Sequence, residues 1–225
     1  MCAENSIDPK VADLQESGEP TLTLQVVQQP QRARVCGYNI SDRRPIHPPP
    51  IVKLNGPPPC STSSLVLFAS LWSTDFQFDL SHSQKSHDGP SFRYTPTAAS
   101  SGDTAQYSVE PTLGYNAKQV LMGTLVSVCS TLIGTDNDMG FYFVFPELAV
   151  RSSGRYRLKF DLYEMNFMHR LNSVPPIAMA FSEVFQVYSP KSFPGITKTT
   201  VLSKCLARQG LKIRLRSSVI PGDKT

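Results

Sequence analysis

Apolar and polar residues alternate along much of the chain, which is the pattern of β-strands that bury one face. The clearest example is the segment 154–165, where Tyr156, Leu158, Phe160 and Leu162 occupy every second position. Between them stand the charged residues Arg155, Arg157, Lys159 and Asp161. Weaker alternation or short apolar runs predict further strands at 21–28, 51–54, 65–72, 119–128, 141–145, 177–188 and 211–215.

One segment, 199–209, has helical periodicity. Its apolar residues recur at helical spacing, a threonine is placed to cap its start, and Gly210 is placed to end it. Many strands separated by turn residues, together with one short helix, predict an all-β sandwich rather than alternating strands and helices. The aromatic run 141–145 belongs either to the core of that sandwich or to a dimer surface.

Composition divides the 225 residues into one domain and its flanks. Residues 1–20 are polar and acidic and predict a disordered leader, residues 21–218 form one domain, and residues 219–225 are a tail. Within the domain, 74–115 is polar and poor in branched aliphatic residues, which predicts a long, mobile surface insertion. No stretch is long and apolar enough to span a bilayer, so we expect a soluble intracellular protein without membrane contact.

Neither the cysteines nor the histidines form a recognisable site. The five cysteines show no CxxC pair and no regular framework, which predicts reduced thiols. His82 and His87 have no partners at the spacing of a zinc site, and the common catalytic and phosphate-binding motifs are missing from the sequence. We therefore expect no metal, no cofactor, no small-molecule substrate and no enzymatic activity.

The net charge of +4 conceals an uneven distribution. Residues 32–53 carry five basic and one acidic side chain, and residues 151–225 carry thirteen basic and four acidic side chains. In a folded sandwich, two such blocks can form one positive face that attracts nucleic acid. The alternative for the second block is that its charges are the solvated outer face of strands.

The first basic block combines arginines with a proline-rich segment. Prolines remove backbone donors, so the segment 30–50 is predicted to be an extended loop, stiffened by the prolines 48–50, rather than a strand. A guanidinium group is planar and forked, which suits bidentate contact with phosphate or with a guanine edge. The residues expected to contact DNA are Arg32, Arg34, Arg43, Arg44 and Lys53.

Each of these charges also has a structural alternative. Arg32 and Arg34 should project to one side of an extended segment, whereas the adjacent Arg43 and Arg44 should diverge. One of the latter pair can brace the loop against Asp42 or a backbone carbonyl while the other contacts DNA. Lys53 is equally explained as a strand-face lysine.

Weaker candidates surround the predicted helix, and they are either backbone phosphate contacts or solvated side chains. These are Lys191, Lys198, Lys204 and Arg208. Cys36 follows the arginines closely; a buried, inert thiol is favoured over one whose oxidation weakens binding.

The residues 29–54, QPQRARVCGYNISDRRPIHPPPIVKL, carry a long and ordered motif. Further motifs are GTLVS at 123–127, FYFVFPELAVRSSGRYRLKFDLYEM at 141–165, KSFPGIT at 191–197 and LARQGLKIRLR at 206–216. Together they closely resemble the signature of the velvet family of fungal developmental regulators, over most of the chain after about residue 21.

This resemblance implies a fold similar to the immunoglobulin-like DNA-binding domain of Rel-type transcription factors, with the basic loop after the first strand meeting duplex DNA. It also implies a nuclear regulator, with a cytoplasmic pool, that forms homodimers or heterodimers with other velvet proteins. The implied biology is fungal development, sporulation and secondary metabolism. The alternative is an adaptor that dimerises with a DNA-reading velvet partner and does not read DNA itself.

Overall fold

The computed structural model describes residues 22–37, 42–56, 64–83, 95–96, 107–108, 118–165 and 175–215. The larger strands of this part of the chain are β1 (Thr23–Gln28), β2 (Arg32–Arg34), β3 (Ile51–Asn55), β4 (Leu65–Trp72), β10 (Val126–Val128), β11 (Ser130–Ile133), β12 (Met139–Val144), β14 (Gly154–Glu164), β15 (Ala178–Phe181) and β16 (Phe185–Tyr188). The two-residue strands are β5 (His82–Ser83), β6 (Thr95–Pro96), β7 (Tyr107–Ser108), β8 (Lys118–Gln119), β9 (Leu121–Met122) and β13 (Ala149–Val150). The helix α1 spans Val201–Arg208.

Two sheets form a β-sandwich, which confirms the predicted all-β class. The smaller sheet has the order β1-β3-β12-β11. The larger has the order β10-β4-β14-β16-β2, and β15 also pairs with β14. The apolar side chains facing inward from both sheets share one core, which includes Phe143, Phe145, Phe160, Phe185 and Leu158. The aromatic run 141–145 thus contributes mainly to the core.

The strand β14 shows how the sequence pattern positions outward charges. Its residues alternate between buried and partly exposed, with Leu158 and Phe160 fully inaccessible to solvent. It pairs antiparallel with β4 from Arg157 to Glu164, and β15 and β16 share its other edge. Because successive residues of a strand point to opposite faces, the charged residues from Arg155 to Asp161 face away from the core, whereas Glu164 at the end of the strand is buried.

The segments 119–128 and 177–188 were each predicted as one strand, and both predictions are wrong. The first is divided into β8, β9 and β10. The break between β8 and β9 is at Val120, whose N donates to Ser81 O, and the break between β9 and β10 begins at Gly123, which has φ +101 and where a Cβ would collide with the carbonyl of Glu147. The second is divided at Ser182, whose buried hydroxyl accepts a hydrogen bond from Leu158 N and replaces a ladder contact. These breaks arise from contacts with distant residues, which local periodicity does not report.

The helix α1 is confirmed and is held by a buried polar cluster. Thr200 caps its first turn by accepting a hydrogen bond from Ser203 N. The side-chain amide of Gln28, on β1, donates to the Ser203 hydroxyl at 2.8 Å and to Pro49 O at 2.6 Å. Leu206 packs with Ile51 and Tyr142 on the outside of the smaller sheet. The helix therefore covers that sheet's outer face.

A last strand was predicted at 211–215, and this is wrong because the segment forms no strand. Ile213 is 8% exposed and joins the cluster beneath α1, while its neighbours Lys212 and Arg214 are exposed. The alternation therefore comes from packing an irregular segment against α1 and the sheet. No helix in the described residues is long and apolar enough to cross a bilayer.

The predicted insertion 74–115 lies mostly outside the described residues. Its first ten residues are described, and they return towards the core: Leu80 N donates to Leu71 O, and the buried Ser81 hydroxyl accepts from Leu71 N. The pair β6 and β7 is also described. The leader 1–20 and the tail 219–225 are likewise outside the described part.

Candidate nucleic-acid interface

Arg32 and Arg34 lie on a strand, so the prediction that 30–50 forms no ladder is wrong for this part. Between the prolines, β2 pairs in parallel with β16. Its other edge bridges to His47, with Arg32 N donating to His47 O at 2.9 Å and His47 N donating to Arg32 O at 2.8 Å. Ala33 is 1% exposed, so both arginines face away from the core on the same side, as predicted.

Arg34 is braced by Asp42. Its Nη2 lies 3.0 Å from Asp42 Oδ1, and Gly37 N donates to Asp42 Oδ2 at 3.0 Å. The hypothesis that Arg43 or Arg44 pairs with Asp42 is therefore wrong. Those two residues are closer to Asp42 in the sequence, but in the folded chain it is Arg34 of β2 that contacts the carboxylate. This brace closes the segment 38–41, which itself lies outside the described residues.

Arg32, Arg43 and Arg44 have unengaged guanidinium groups as far as the described residues are concerned: none forms a hydrogen bond or ion pair with them. Arg44 is exposed, and Arg32 and Arg43 are half-buried. The backbone that carries Arg43 and Arg44, called the loop arginines below, is fixed close to them, because Ile46 is 2% exposed and its N donates to Leu148 O at 2.7 Å. The loop thus offers free cations on an anchored backbone.

Cys36 lies beneath this loop as a buried thiol. It is 4% exposed, and its N donates to Val150 O at 3.0 Å. Burial raises the pKa of the thiol, while the charges of Arg151 and Arg43 act to lower that pKa. The net effect keeps it protonated, which agrees with the predicted inert thiol. Burial similarly raises the pKa of Cys129 to about 11.

The same contacts identify Arg151 as a residue that the sequence reasoning missed. It is half-buried, its Nη1 donates to Gln119 O at 3.4 Å, and its charge acts on the Cys36 thiol together with that of Arg43. It therefore belongs to the same end of the sandwich. The signal was present in the sequence, since Arg151 directly follows the apolar residues of β13 in the second basic block.

Two of the basic residues of β14, Arg157 and Lys159, contact other parts of the protein. Arg157 donates to Thr74 O at 3.1 Å and to Ser182 O at 2.9 Å, and it stacks over the Phe76 ring. Lys159 pairs with Asp161 at 3.0 Å. These two are therefore not simply solvated, as the alternative for the second block would have them.

The weaker candidates divide between two regions. Lys198 follows Thr197, whose hydroxyl is 2.9 Å from His47 Nε2 and so lies beside β2. Lys191 is in an exposed turn after β16, whose end pairs with the end of β2. In contrast, Lys204 and Arg208 are exposed on α1, over the other sheet.

Lys53 also lies apart from the arginines. It faces outward from β3, 3.8 Å from Asp136 Oδ2 and over the Tyr142 ring. There it lines an open cleft of about 330 Å³ beside α1. Among the described residues, no three His, Cys, Asp or Glu side chains are grouped so as to hold a metal ion.

Comparison with known proteins agrees with the motif resemblance. A family model described as Velvet factor matches residues 22–219. The velvet complex protein RYP3 of Ajellomyces capsulatus is 28% identical over 300 residues, covering 90% of this chain and 80% of that protein. Spore development regulator RYP2 of the same fungus is 34% identical over 197 residues, covering 86% of this chain and 42% of that protein.

A third relative is the developmental and secondary metabolism regulator veA of Aspergillus niger. It is 32% identical over 240 residues, which cover 96% of this chain and 40% of that protein. The names of these relatives describe regulators and members of a complex, not enzymes. With the family model matching nearly the whole described region, the chain belongs to the velvet family.

Proposed function

We propose that this chain is a sequence-specific DNA-binding regulator of fungal development, sporulation and secondary metabolism. It acts in the nucleus, with a cytoplasmic pool, and it works as a dimer with itself or with another velvet protein. The names of the relatives support the regulatory role, since they refer to spore development, secondary metabolism and a velvet complex. The DNA-binding part of the proposal rests on the basic segment 32–44, called the arginine loop below, which carries Arg32, Arg34, Arg43 and Arg44.

The observation that carries the proposal is the set of unengaged guanidinium groups of Arg32, Arg43 and Arg44 beside an anchored backbone. A permanently charged group without an internal partner is available to a polyanion. Hydrogen bonds from Cys36 N and Ile46 N already fix the backbone at these two residues, so ordering this described part of the loop adds little entropic cost to binding. Arg43 and Arg44, in the irregular segment, are suited to reach base edges, whereas Arg32 on β2 is suited to contact phosphates.

Removal of the loop arginines tests this proposal. The double variant Arg43→Ala/Arg44→Ala should bind a duplex selected from a random pool at least about 30-fold more weakly than the wild type, because it loses two base contacts and each bidentate contact contributes about 1–3 kcal/mol. The measurement is fluorescence anisotropy at fixed salt. The thermal unfolding temperature of the double variant should match that of the wild type, since neither arginine side chain forms a hydrogen bond or ion pair with a described residue.

Lys212→Ala/Arg214→Ala is the matched control. It removes two positive charges from exposed positions near α1, on the other sheet. This control should change the affinity by less than about 3-fold, because surface charges more than a Debye length from the ligand are screened. Wild-type affinity in the Arg43→Ala/Arg44→Ala variant would refute DNA recognition by the loop.

A second candidate function is an adaptor that dimerises with a DNA-reading partner. Two observations favour it: Arg34 is engaged by Asp42, and one side of the sandwich exposes apolar residues on strands whose outer edges pair with no described strand. The exposed residues are Val126 and Val128 on β10 and Ile133 on β11. Unpaired edges of this kind are suited to pairing with another chain.

The two functions differ in what the purified chain does alone. A DNA reader shifts a duplex by itself, with a binding constant that falls steeply with salt because several phosphates are contacted. An adaptor shifts the duplex only after a second velvet protein is added. Size-exclusion chromatography with light scattering, run on the same samples, reports which oligomer binds.

A further inference from the structure

The larger sheet carries a second polar feature beside β2, which the register of its strands defines. Arg32 pairs with Gln186 on β16, and Gln186 pairs with Arg155 on β14. Paired residues of neighbouring strands lie on the same face, about 4.8 Å apart per strand. Arg32, Gln186 and Arg155 therefore form a transverse row, with about 10 Å between its ends.

The row faces solvent. Ala33, Phe185, Val187 and Tyr156, which flank its members along the strands, are all buried, so the members point away from the core. Arg155 is exposed and forms no hydrogen bond or ion pair with a described residue. It follows the exposed residues Ser152 and Ser153 and then Gly154, so no large side chain precedes it along the chain.

The neighbouring charges on β14 mark the end of the row. The guanidinium of Arg157 is used internally by two backbone carbonyls, and the ammonium of Lys159 is used by Asp161. Of the basic residues at 155, 157 and 159, Arg155 alone lacks an engagement with the described residues. Free positive charge thus extends from the loop through Arg32 as far as Arg155, and there it stops.

We propose that this transverse row is a second DNA contact, which binds the sugar–phosphate backbone while the loop arginines enter the major groove. The proposal rests on the proposed function and extends its site by Gln186 and Arg155. The major groove admits a helix or a two-stranded ribbon, whereas this row runs across three strands of a sheet. Such a face lies against phosphates instead.

The geometry also sets the contribution of each member. Arg155 supplies a full charge, whereas Gln186 supplies an amide whose Nε2 also donates to Val187 O at 3.1 Å. A single lost phosphate contact lowers the slope of log K against log salt by about 0.9. At about 0.1 M salt, this corresponds to about a 5- to 10-fold loss of affinity. The loss should be the same for selected and scrambled duplexes, because phosphates carry no sequence information.

The experiment compares Arg155→Gln with Arg214→Gln, an identical change at an exposed position near α1. Salt titrations of wild-type binding and of both variants are followed by fluorescence anisotropy. The Arg155→Gln variant should lose about 0.9 of slope and about 5- to 10-fold in affinity on both duplexes, and Arg155→Lys should restore both. The Arg214→Gln variant should behave as the wild type.

A second variant tests the centre of the row. Gln186→Glu places a carboxylate between the two arginines and should weaken binding more than Gln186→Ala, which removes only the amide. Thermal unfolding of both should remain close to that of the wild type because residue 186 faces solvent. A carboxylate there that left the affinity unchanged would exclude contact of this face with phosphate.

The outcomes separate the two proposals. If the wild type binds DNA but Arg155→Gln and Gln186→Glu bind equally well, or if Arg155→Gln and Arg214→Gln lose the same affinity, the transverse row is refuted and the loop site stands. If Arg155→Gln impairs binding of a velvet partner and leaves DNA binding intact, the row is a protein contact and the proposal fails. If the wild type binds no duplex, alone or with a velvet partner, both proposals fail.

Discussion

One carboxylate, that of Asp42, organises the arginine loop. Its two oxygens accept from Arg34 and from Gly37 N, each at 3.0 Å, so it joins β2 to the far end of the segment 38–41. The side chains of Arg34 and Asp42 are 26% and 43% exposed, and an ion pair with that exposure contributes at most about 1 kcal/mol to stability. The main effect of this ion pair is therefore to fix the position of the backbone that carries Arg43 and Arg44.

Replacement of Asp42 tests whether recognition depends on the position of the loop arginines or only on the positive charge of the loop. In Asp42→Ala the brace is lost while Arg34 becomes free and the net charge rises. We expect affinity for a scrambled duplex to increase several-fold, by about one additional phosphate contact, while the preference for the selected duplex falls. Anisotropy titrations on both duplexes at one salt concentration give the two quantities.

Gly37→Ala is the control that keeps every charge. A Cβ at this position would lie 2.6 Å from Asp42 Oδ2, so the carboxylate must move away. The preference for the selected duplex should fall here too, without the gain on the scrambled duplex. If both variants kept the wild-type preference, the brace would have no part in recognition.

At the scale of elements, the sequence predicts what depends on local pattern. The strand β14 and the helix α1 follow from period-two alternation and from a capped apolar stripe, and both are found within one or two residues of the predicted ends. The short β2 was not predicted because a strand of three residues shortly after Pro30 gives no periodicity. Its pairing with β16 brings together segments about 150 positions apart in the sequence.

The same distinction applies to the candidate site. The arginines were identified from their residue type and their proline-rich surroundings. The Arg34–Asp42 pair could not be derived, because it depends on how β2 and the loop lie relative to each other in the folded chain. The position of Arg155 beside Gln186 depends on the register between β14 and β16. A single sequence does not reveal the register of strands that are far apart in the chain.

The attachment of α1 gives a prediction at this scale. Gln28→Met should destabilise the protein by about 1–3 kcal/mol, because the Ser203 hydroxyl and Pro49 O lose their amide partner, and Ser203 is fully buried. Urea denaturation followed by circular dichroism measures the change. The matched control is Gln25→Met, an exposed position on β1, which should change stability by less than about 0.5 kcal/mol. Equal stability of the two variants would show that the buried cluster does not hold the helix.

At the scale of the whole molecule, basic side chains occupy two separate outer faces. Arg32 and Arg155 face outward from the larger sheet. Lys53 faces outward from the smaller sheet, and Lys204 and Arg208 lie on the helix that covers it. Packed sheets are about 10 Å apart, so one duplex does not reach both faces at once without wrapping around an edge.

This arrangement predicts that removing charges from the two faces affects DNA affinity differently at different salt concentrations. The triple variant Lys53→Gln/Lys204→Gln/Arg208→Gln should bind DNA within about 2-fold of the wild type at 0.15 M salt, because the Debye length there is about 8 Å. At 0.01 M salt the Debye length is about 30 Å, and the same variant should bind clearly more weakly. Arg155→Gln, with one charge removed, should be impaired at both concentrations. A triple variant that lost as much affinity at 0.15 M as Arg43→Ala/Arg44→Ala would mean that the α1 side also touches DNA, and the bound duplex would then have to pass around the edge formed by β2.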